Sequence, residues 1–192
     1  FILGLIPGEA SAKALLEGYR RITFDSNNNL ADWLSVYWPA LCRNKTAYTT
    51  DCMRQIAEDH QLDWYPRSQA VECVVADAGD RGPAQLEEAI DWLAKLCVDE
   101  SQDPEFRVMA GHTLLDHPRE RHRQVMEQLV ELQDPDSWLG NSYTRDDIDR
   151  SFSRGGKPEW KRSENPWRFY DPVEIQRRQQ RWLKEDRVKE DR

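Results

Sequence analysis

Apolar residues recur at helical spacing along most of the chain. Between Pro83 and Cys97 the apolar side chains fall on one helical face; they are Leu86, Ala89, Ile90, Leu93, Leu96 and Cys97. The same spacing predicts helices over 10–21, 29–42, 49–60, 63–78, 83–99, 103–116 and 118–132. Strand-like alternation between turn signals is not convincing anywhere, so the pattern predicts an all-α fold.

Helix-start signals agree with these boundaries. Gly82 and Pro83 open one helix, and proline suits the first helical position because the amide that it lacks has no partner there. Asp103 precedes Pro104 and can accept from the free amides of the next helix. Thr144 and Asp147 resemble a capping box for a short helix through Phe152, and a second such box begins at Asp171.

The pattern repeats after 40 residues. Ile56-Ala57-Glu58-Asp59 aligns with Leu96-Cys97-Val98-Asp99, and the same offset aligns Asp63 with Asp103 and Arg67 with Arg107. A period of about 40 built from two helices is typical of HEAT and armadillo repeats. The sequence therefore predicts a HEAT-like α-solenoid of antiparallel helix pairs, each burying its apolar stripe against its neighbours.

The repeat fades after Leu132, which divides the prediction into two regions. Residues 1–140 are predicted to form the helical repeats, and residues 141–192 a capping helix, an irregular loop and a charged terminal helix. The loop carries four large aromatic residues: Trp160, Trp167, Phe169 and Tyr170. Two interpretations stay open for them, a cap over the last repeat or an interaction patch for a partner.

Two aspartate and arginine pairs recur at the helix ends. Asp59 and Asp99 stand at the ends of first helices, where a negative charge opposes the helix dipole unless a cation is near. Arg67 and Arg107 lie at matching positions in the following helices. These positions predict Asp59–Arg67 and Asp99–Arg107 contacts that join the two helices of each pair, in a structural rather than an acid–base role.

The charge is unevenly distributed along the chain. The net charge is -8; residues 141–192 hold 14 Lys and Arg against 11 Asp and Glu, whereas residues 1–140 hold 13 against 24. An acidic body disfavours nucleic acid as the main ligand, because phosphate binding requires dense Lys and Arg. Apolar runs are too short to insert into a membrane, and we interpret the short apolar start, Phe1 to Ile6, as the end of a helix that begins earlier.

Cysteine and histidine usage gives little support to a metal or catalytic site. Cys42, Cys52, Cys73 and Cys97 form no CxxC pair, and buried thiols suit a reducing cytoplasm. The remaining candidates are grouped in one stretch: His112, Asp116, His117 and His122. A helical phosphohydrolase places aspartate directly after histidine, whereas the order here is reversed and falls at a turn. We therefore predict no metal, no cofactor and no catalytic residue.

Three stretches of the chain resemble a bacterial family of HEAT-like helical-repeat proteins to which no function is assigned. They are 30–39 from Leu-Ala-Asp-Trp-Leu to Trp-Pro, 56–72 from Ile-Ala-Glu-Asp to Gln-Ala-Val-Glu, and Asp-Asp-Ile at 146–148 with the aromatic loop. The resemblance covers most of residues 1–150 and implies a helical-repeat fold with a further N-terminal portion. It implies no reaction, and from these residues we do not expect the cysteine-rich metal-binding tail that some relatives carry.

The leading functional hypothesis is a cytoplasmic, non-enzymatic scaffold or adaptor that binds a protein partner, since stacked helix pairs present an extended surface. Two alternatives remain. One is a metal-dependent hydrolase or lyase with a small-ligand pocket near His112. The other is RNA binding through Arg177, Arg178 and Arg181 of the terminal helix beside Trp182, although acidic residues are interleaved there.

Overall fold

The structure, a computed structural model, describes residues 6, 8–25, 46–133, 142–155, 172–173 and 175–180, with the backbone alone at residues 20 and 22–25. Contacts divide the chain into two compact units, Phe1–Lys161 and Arg162–Arg192. The predicted helix over 29–42, Cys42, Arg181, Trp182 and the four loop aromatics Trp160, Trp167, Phe169 and Tyr170 lie outside the described residues. In the second unit, residues 172–173 and 175–180 are helical.

Every regular element of the described residues is a helix, so the all-α prediction is confirmed there. The first unit contains α1 (Glu9–Asp25), α2 (Ala47–Glu58), α3 (Trp64–Arg81), α4 (Pro83–Val98), α5 (Pro104–Asp116), a 3₁₀ turn (Glu120–His122), α6 (Arg123–Leu132) and α7 (Arg145–Arg154). Among these described helices, none is both long enough and apolar enough to cross a bilayer.

Local capping chemistry starts and ends these helices. Asp63 caps α3 by accepting from the Tyr65 amide, and Asp103 caps α5 by accepting from the Phe106 amide. Gly82 separates α3 from α4 with a φ of 138°, a backbone conformation that favours glycine. The predicted capping box of α7 is confirmed, because Thr144 accepts from the Asp147 amide while the Asp147 carboxylate accepts from the Thr144 amide at 2.9 Å.

One apolar core joins the helices of the first unit. Adjacent helices pack together, and so do alternate ones, because α3 contacts α5, α4 contacts α6 and α5 contacts α7. Tyr19 of α1 is buried and donates from its hydroxyl to the Pro66 carbonyl of α3 at 3.1 Å. These contacts between alternate helices bring the apolar faces of α3 to α7 into one continuous core.

Residues that follow residue 140 also pack into the first unit. Tyr143 and Ile148 are both buried in the core formed by α1 to α6. The side-chain amide of Gln133 donates to the main-chain carbonyl of Tyr143 at 2.8 Å and accepts from the main-chain amide of Tyr143 at 3.2 Å. Residues 143–154 therefore belong to the first unit, because a buried tyrosine and a buried isoleucine anchor them.

Candidate functional site

Arg67 occupies the most buried charged position that the structure describes. It is 1% exposed, and its Nε and one terminal nitrogen both donate to the Ala57 carbonyl at 3.0 Å. The same terminal nitrogen donates to the Gln102 amide oxygen, and the guanidinium lies 3.8 Å from the centre of the Phe106 ring. Burial lowers the pKa of Arg67, while the charges of Asp103 and Asp59 oppose that shift.

Arg107 makes the equivalent contact 40 residues later. Its Nε donates to the Cys97 carbonyl at 2.8 Å, and the side chain is half-buried. Ala57 and Cys97 lie in the last turns of α2 and α4, where main-chain carbonyls have no partner within the helix. Both arginines thus bind the negative end of the preceding helix, where a cation is favoured.

The predicted aspartate–arginine ion pairs are replaced by these arginine–carbonyl bonds. Within the described ranges, neither arginine lies within ion-pair distance of Asp59 or Asp99. Instead the Asp59 carboxylate accepts from the Gln61 amide at 2.9 Å, and the Asp99 carboxylate accepts from the Ser101 amide at 3.0 Å. Each aspartate therefore closes its own turn, and each arginine donates to a main-chain carbonyl instead of to the aspartate.

Gln102 connects the two turns and was not predicted. Its side chain is 5% exposed; its amide oxygen accepts from Arg67, and its amide nitrogen lies 3.1 Å from both His60 Nε2 and Asp99 Oδ2. The 40-residue offset aligns Gln102 with Leu62. A polar residue 40 positions after an apolar one, where the sequence alignment predicts similar residues, is the signal that would have indicated this role.

The histidines and cysteines of the described residues are placed as structural groups. His112 packs edge-to-face on Tyr143 at 5.1 Å between ring centres, and His117 is buried and ends α5. In these ranges, no group of three His, Cys, Asp or Glu residues is arranged to hold a metal ion. Cys52, Cys73 and Cys97 are buried thiols, and burial raises the pKa of Cys97 to about 12, which makes it a poor nucleophile at neutral pH.

One side of α4 is joined to the segment before α6 by ion pairs. Glu87 lies 2.6 Å from both Arg119 and Arg121, and Asp91 lies 2.8 Å from Arg121 and 2.7 Å from His122. Hydrogen bonds from Arg119 and Arg121 lower the pKa of Glu87 to about 2. These contacts link residues about 30 positions apart in the chain, so the sequence pattern alone did not indicate them.

Replacing Glu87 with glutamine is expected to remove a pH-dependent contribution to stability. Because the folded-state pKa of Glu87 is lowered, its ion pairs stabilise the fold above the ordinary carboxyl pKa, and this stability is lost as the pH falls towards about 2. The side chain is 39% exposed, so solvent screening limits the effect to about 0.5–1 kcal/mol. Thermal unfolding of the parent and of the Glu87→Gln variant at pH 7 and pH 2.5 measures this difference in stability.

Glu88→Gln is the matched control for that experiment. Glu88 is the next residue, and within the described residues it forms no ion pair or hydrogen bond. The Glu88→Gln substitution should therefore leave the melting temperature nearly unchanged at both pH values. If the melting temperatures of the parent and the Glu87→Gln variant differ as much at pH 2.5 as at pH 7, the role assigned to the Glu87 ion pairs is contradicted.

The other side of α4 borders a cleft of about 120 Å³ shared with α2 and α3. Its lining includes Asp51 and Arg54 of α2, Asp77 and Arg81 of α3, and Glu88 of α4. Asp77 is 6% exposed and pairs with Arg81 at 2.7 Å. The cleft thus combines one buried carboxylate, paired with an exposed arginine, with further exposed charges at its rim.

An arginine–tryptophan stack lies beside this cleft. The Arg54 guanidinium is 4.8 Å from the centre of the Trp92 ring, and the Trp92 indole N–H donates to Glu58 at 2.8 Å. Arginine on the face of an indole ring is a favourable cation–π arrangement. Trp92 thus bridges α2 and α4 at the surface, beside the cleft that Arg54 lines.

Comparison with known proteins identifies no relative of this chain. No protein-family model, no curated protein and no solved structure matches it.

Proposed function

We propose that this chain is a non-enzymatic scaffold that binds a protein partner, built as a HEAT-like α-solenoid of antiparallel helix pairs with a period of about 40 residues. The observation that carries the proposal is the recurring arginine bond. Arg67 donates to the Ala57 carbonyl and Arg107 donates to the Cys97 carbonyl, both across 10 residues and 40 residues apart. Equivalent side chains in equivalent contacts are what stacked repeats require.

The caps around these arginines support the same proposal. Asp63 and Asp103 are N-caps at the same offset, and Asp59 and Asp99 are C-caps of α2 and α4. The packing of α3 on α5 and of α4 on α6 is the contact between alternate helices that stacked pairs make. A unit that repeats in this way presents a continuous outer surface, which suits an extended partner.

The charge of the described helices favours a protein partner over a nucleic acid. Residues 46–133 carry 18 Asp and Glu against 8 Lys and Arg. Phosphates would be repelled by this surface, because nucleic-acid binding gains its free energy mainly from cationic side chains. The three buried thiols Cys52, Cys73 and Cys97 support a reducing, cytoplasmic setting.

Selection from a displayed random-peptide library tests the proposal. The purified full chain is the bait, and the same chain after heat unfolding is the control, which keeps the sequence and removes the fold. We expect a family of related peptides to enrich on the intact chain and to be lost on the control. Failure of any peptide family to enrich on a chain that is helical by circular dichroism would overturn the scaffold function.

A further inference from the structure

We propose that the cleft between α2, α3 and α4 receives a lysine or arginine side chain from a basic segment of a protein partner. This inference rests on the proposed scaffold function and names the chemistry of its partner. The cleft measures about 120 Å³, whereas pockets that enclose a metabolite or cofactor are typically about 300–1,000 Å³. Its size therefore fits one extended side chain better than a separate small molecule.

Two carboxylates at the rim of the cleft have no cation of their own. Asp51 of α2 and Glu88 of α4 are both exposed and both line the cleft. In the part of the chain that the structure describes, neither one accepts a hydrogen bond or pairs with a basic side chain. Glu87, the neighbour of Glu88, shows the contrast, because Arg119 and Arg121 both bind it.

The cations of the same cleft are already engaged. Arg81 pairs with Asp77 at 2.7 Å and donates to the Thr50 hydroxyl at 3.3 Å. Arg54 lies over the Trp92 ring. The carboxylates thus outnumber the arginines, and the charge that remains for a ligand to neutralise is negative.

The electrostatic field of the surrounding surface also favours a cationic ligand. With 18 acidic against 8 basic residues over 46–133, the helices attract a cationic segment at long range and repel an anionic one. Such complementarity raises association rates and excludes partners of the wrong charge. A basic segment would be guided to this surface, and the cleft would then hold one of its side chains between Asp51 and Glu88.

Fluorescence anisotropy with three labelled probes tests the site on the full chain. The probes are a twelve-residue peptide alternating arginine or lysine with serine, the same peptide with glutamate in place of the basic residues, and a single-stranded RNA of twelve nucleotides. We expect the basic peptide to bind and the other two to show no saturable binding at 0.1 M salt. Binding of the glutamate peptide or the RNA in place of the basic peptide would overturn the proposal.

Charge reversals locate the binding within the surface. Glu88→Lys and Asp51→Lys are each expected to weaken binding of the basic peptide, raising its dissociation constant about tenfold. Glu100→Lys is the matched control, since Glu100 is an exposed glutamate just after α4 that lies outside the cleft lining. It should change the dissociation constant by less than about twofold. Thermal unfolding of each variant confirms that the chain remains folded.

Three further outcomes distinguish failure of the cleft as the binding site from failure of the scaffold function. If Glu100→Lys weakens binding as much as Glu88→Lys does, the overall negative charge of the surface attracts the peptide, and the cleft is not its binding site. If the library selects acidic or apolar peptides and the basic peptide does not bind, the inference fails while the scaffold function stands. If the library selects no peptide at all, the scaffold function itself fails.

Discussion

Replacing Arg67 with alanine is expected to lower the free energy of unfolding by about 3–5 kcal/mol. The substitution leaves the Ala57 carbonyl and the Gln102 amide oxygen without the buried donor that both now share. It also opens a cavity beside the Phe106 ring, because Arg67 is among the largest fully buried side chains of the described residues. Since single domains are stable by only about 5–15 kcal/mol, urea denaturation should show a clearly lower midpoint.

Arg107→Ala is the matched control, because it removes the corresponding arginine–carbonyl bond 40 residues later. Arg107 is half-buried, and among the described residues its side chain makes one hydrogen bond, to the Cys97 carbonyl, so we expect a loss of about 1 kcal/mol. Arg67→Lys keeps the charge but cannot form the two-pronged contact, and should fall between these values. Equal losses for the two alanine variants would show that burial of Arg67 contributes nothing beyond its capping bond.

Replacing Gly111 with valine is expected to destabilise the fold by about 2–3 kcal/mol. A Cβ atom at Gly111 would lie 2.5 Å from the Tyr143 hydroxyl oxygen and 2.7 Å from Leu129 Cδ1. Both neighbours are buried, so they must move, and overpacking of this kind costs about 1–3 kcal/mol. Valine stands 40 residues earlier, at Val71, so the substitution makes the two positions alike while making the protein less stable.

Tyr143→Phe provides the control for this prediction. It removes the hydroxyl that lies nearest the added carbon, and this buried oxygen has no hydrogen-bond partner among the described residues. Alone, the variant should keep the stability of the parent or raise it by up to about 1 kcal/mol. Combined with Gly111→Val, it should restore part of the loss, which thermal and urea unfolding both measure. Additive effects of the two substitutions would contradict the close approach at Gly111.

Helix positions were predictable because their causes are local. The predicted helices over 49–60, 63–78, 83–99 and 103–116 correspond to α2, α3, α4 and α5 with ends that shift by at most about three residues. Apolar spacing acts within a few turns, and an N-cap such as Asp103 acts within three residues. Such signals can be recognised without knowing which other helix lies opposite.

The candidate site was predictable only in part. The sequence indicated that Arg67 and Arg107 are equivalent, and the structure places both on the end of a preceding helix. It indicated the wrong acceptors, because a nearby carboxylate and a main-chain carbonyl are indistinguishable in a residue pattern. The stack of Arg54 on Trp92 spans 38 positions, so it follows from the packing of α2 beside α4 and has no local signature.

The amino-acid order by itself determined the helical class and the helix caps, since these depend on spacing and on contacts within one or two turns. Only the tertiary structure decided which groups meet at a distance: Arg67 with Gln102, Gly111 with Tyr143, and Glu87 with Arg119. The physical reason is that each of these side chains has many chemically suitable partners, and close packing of the helices selects one of them.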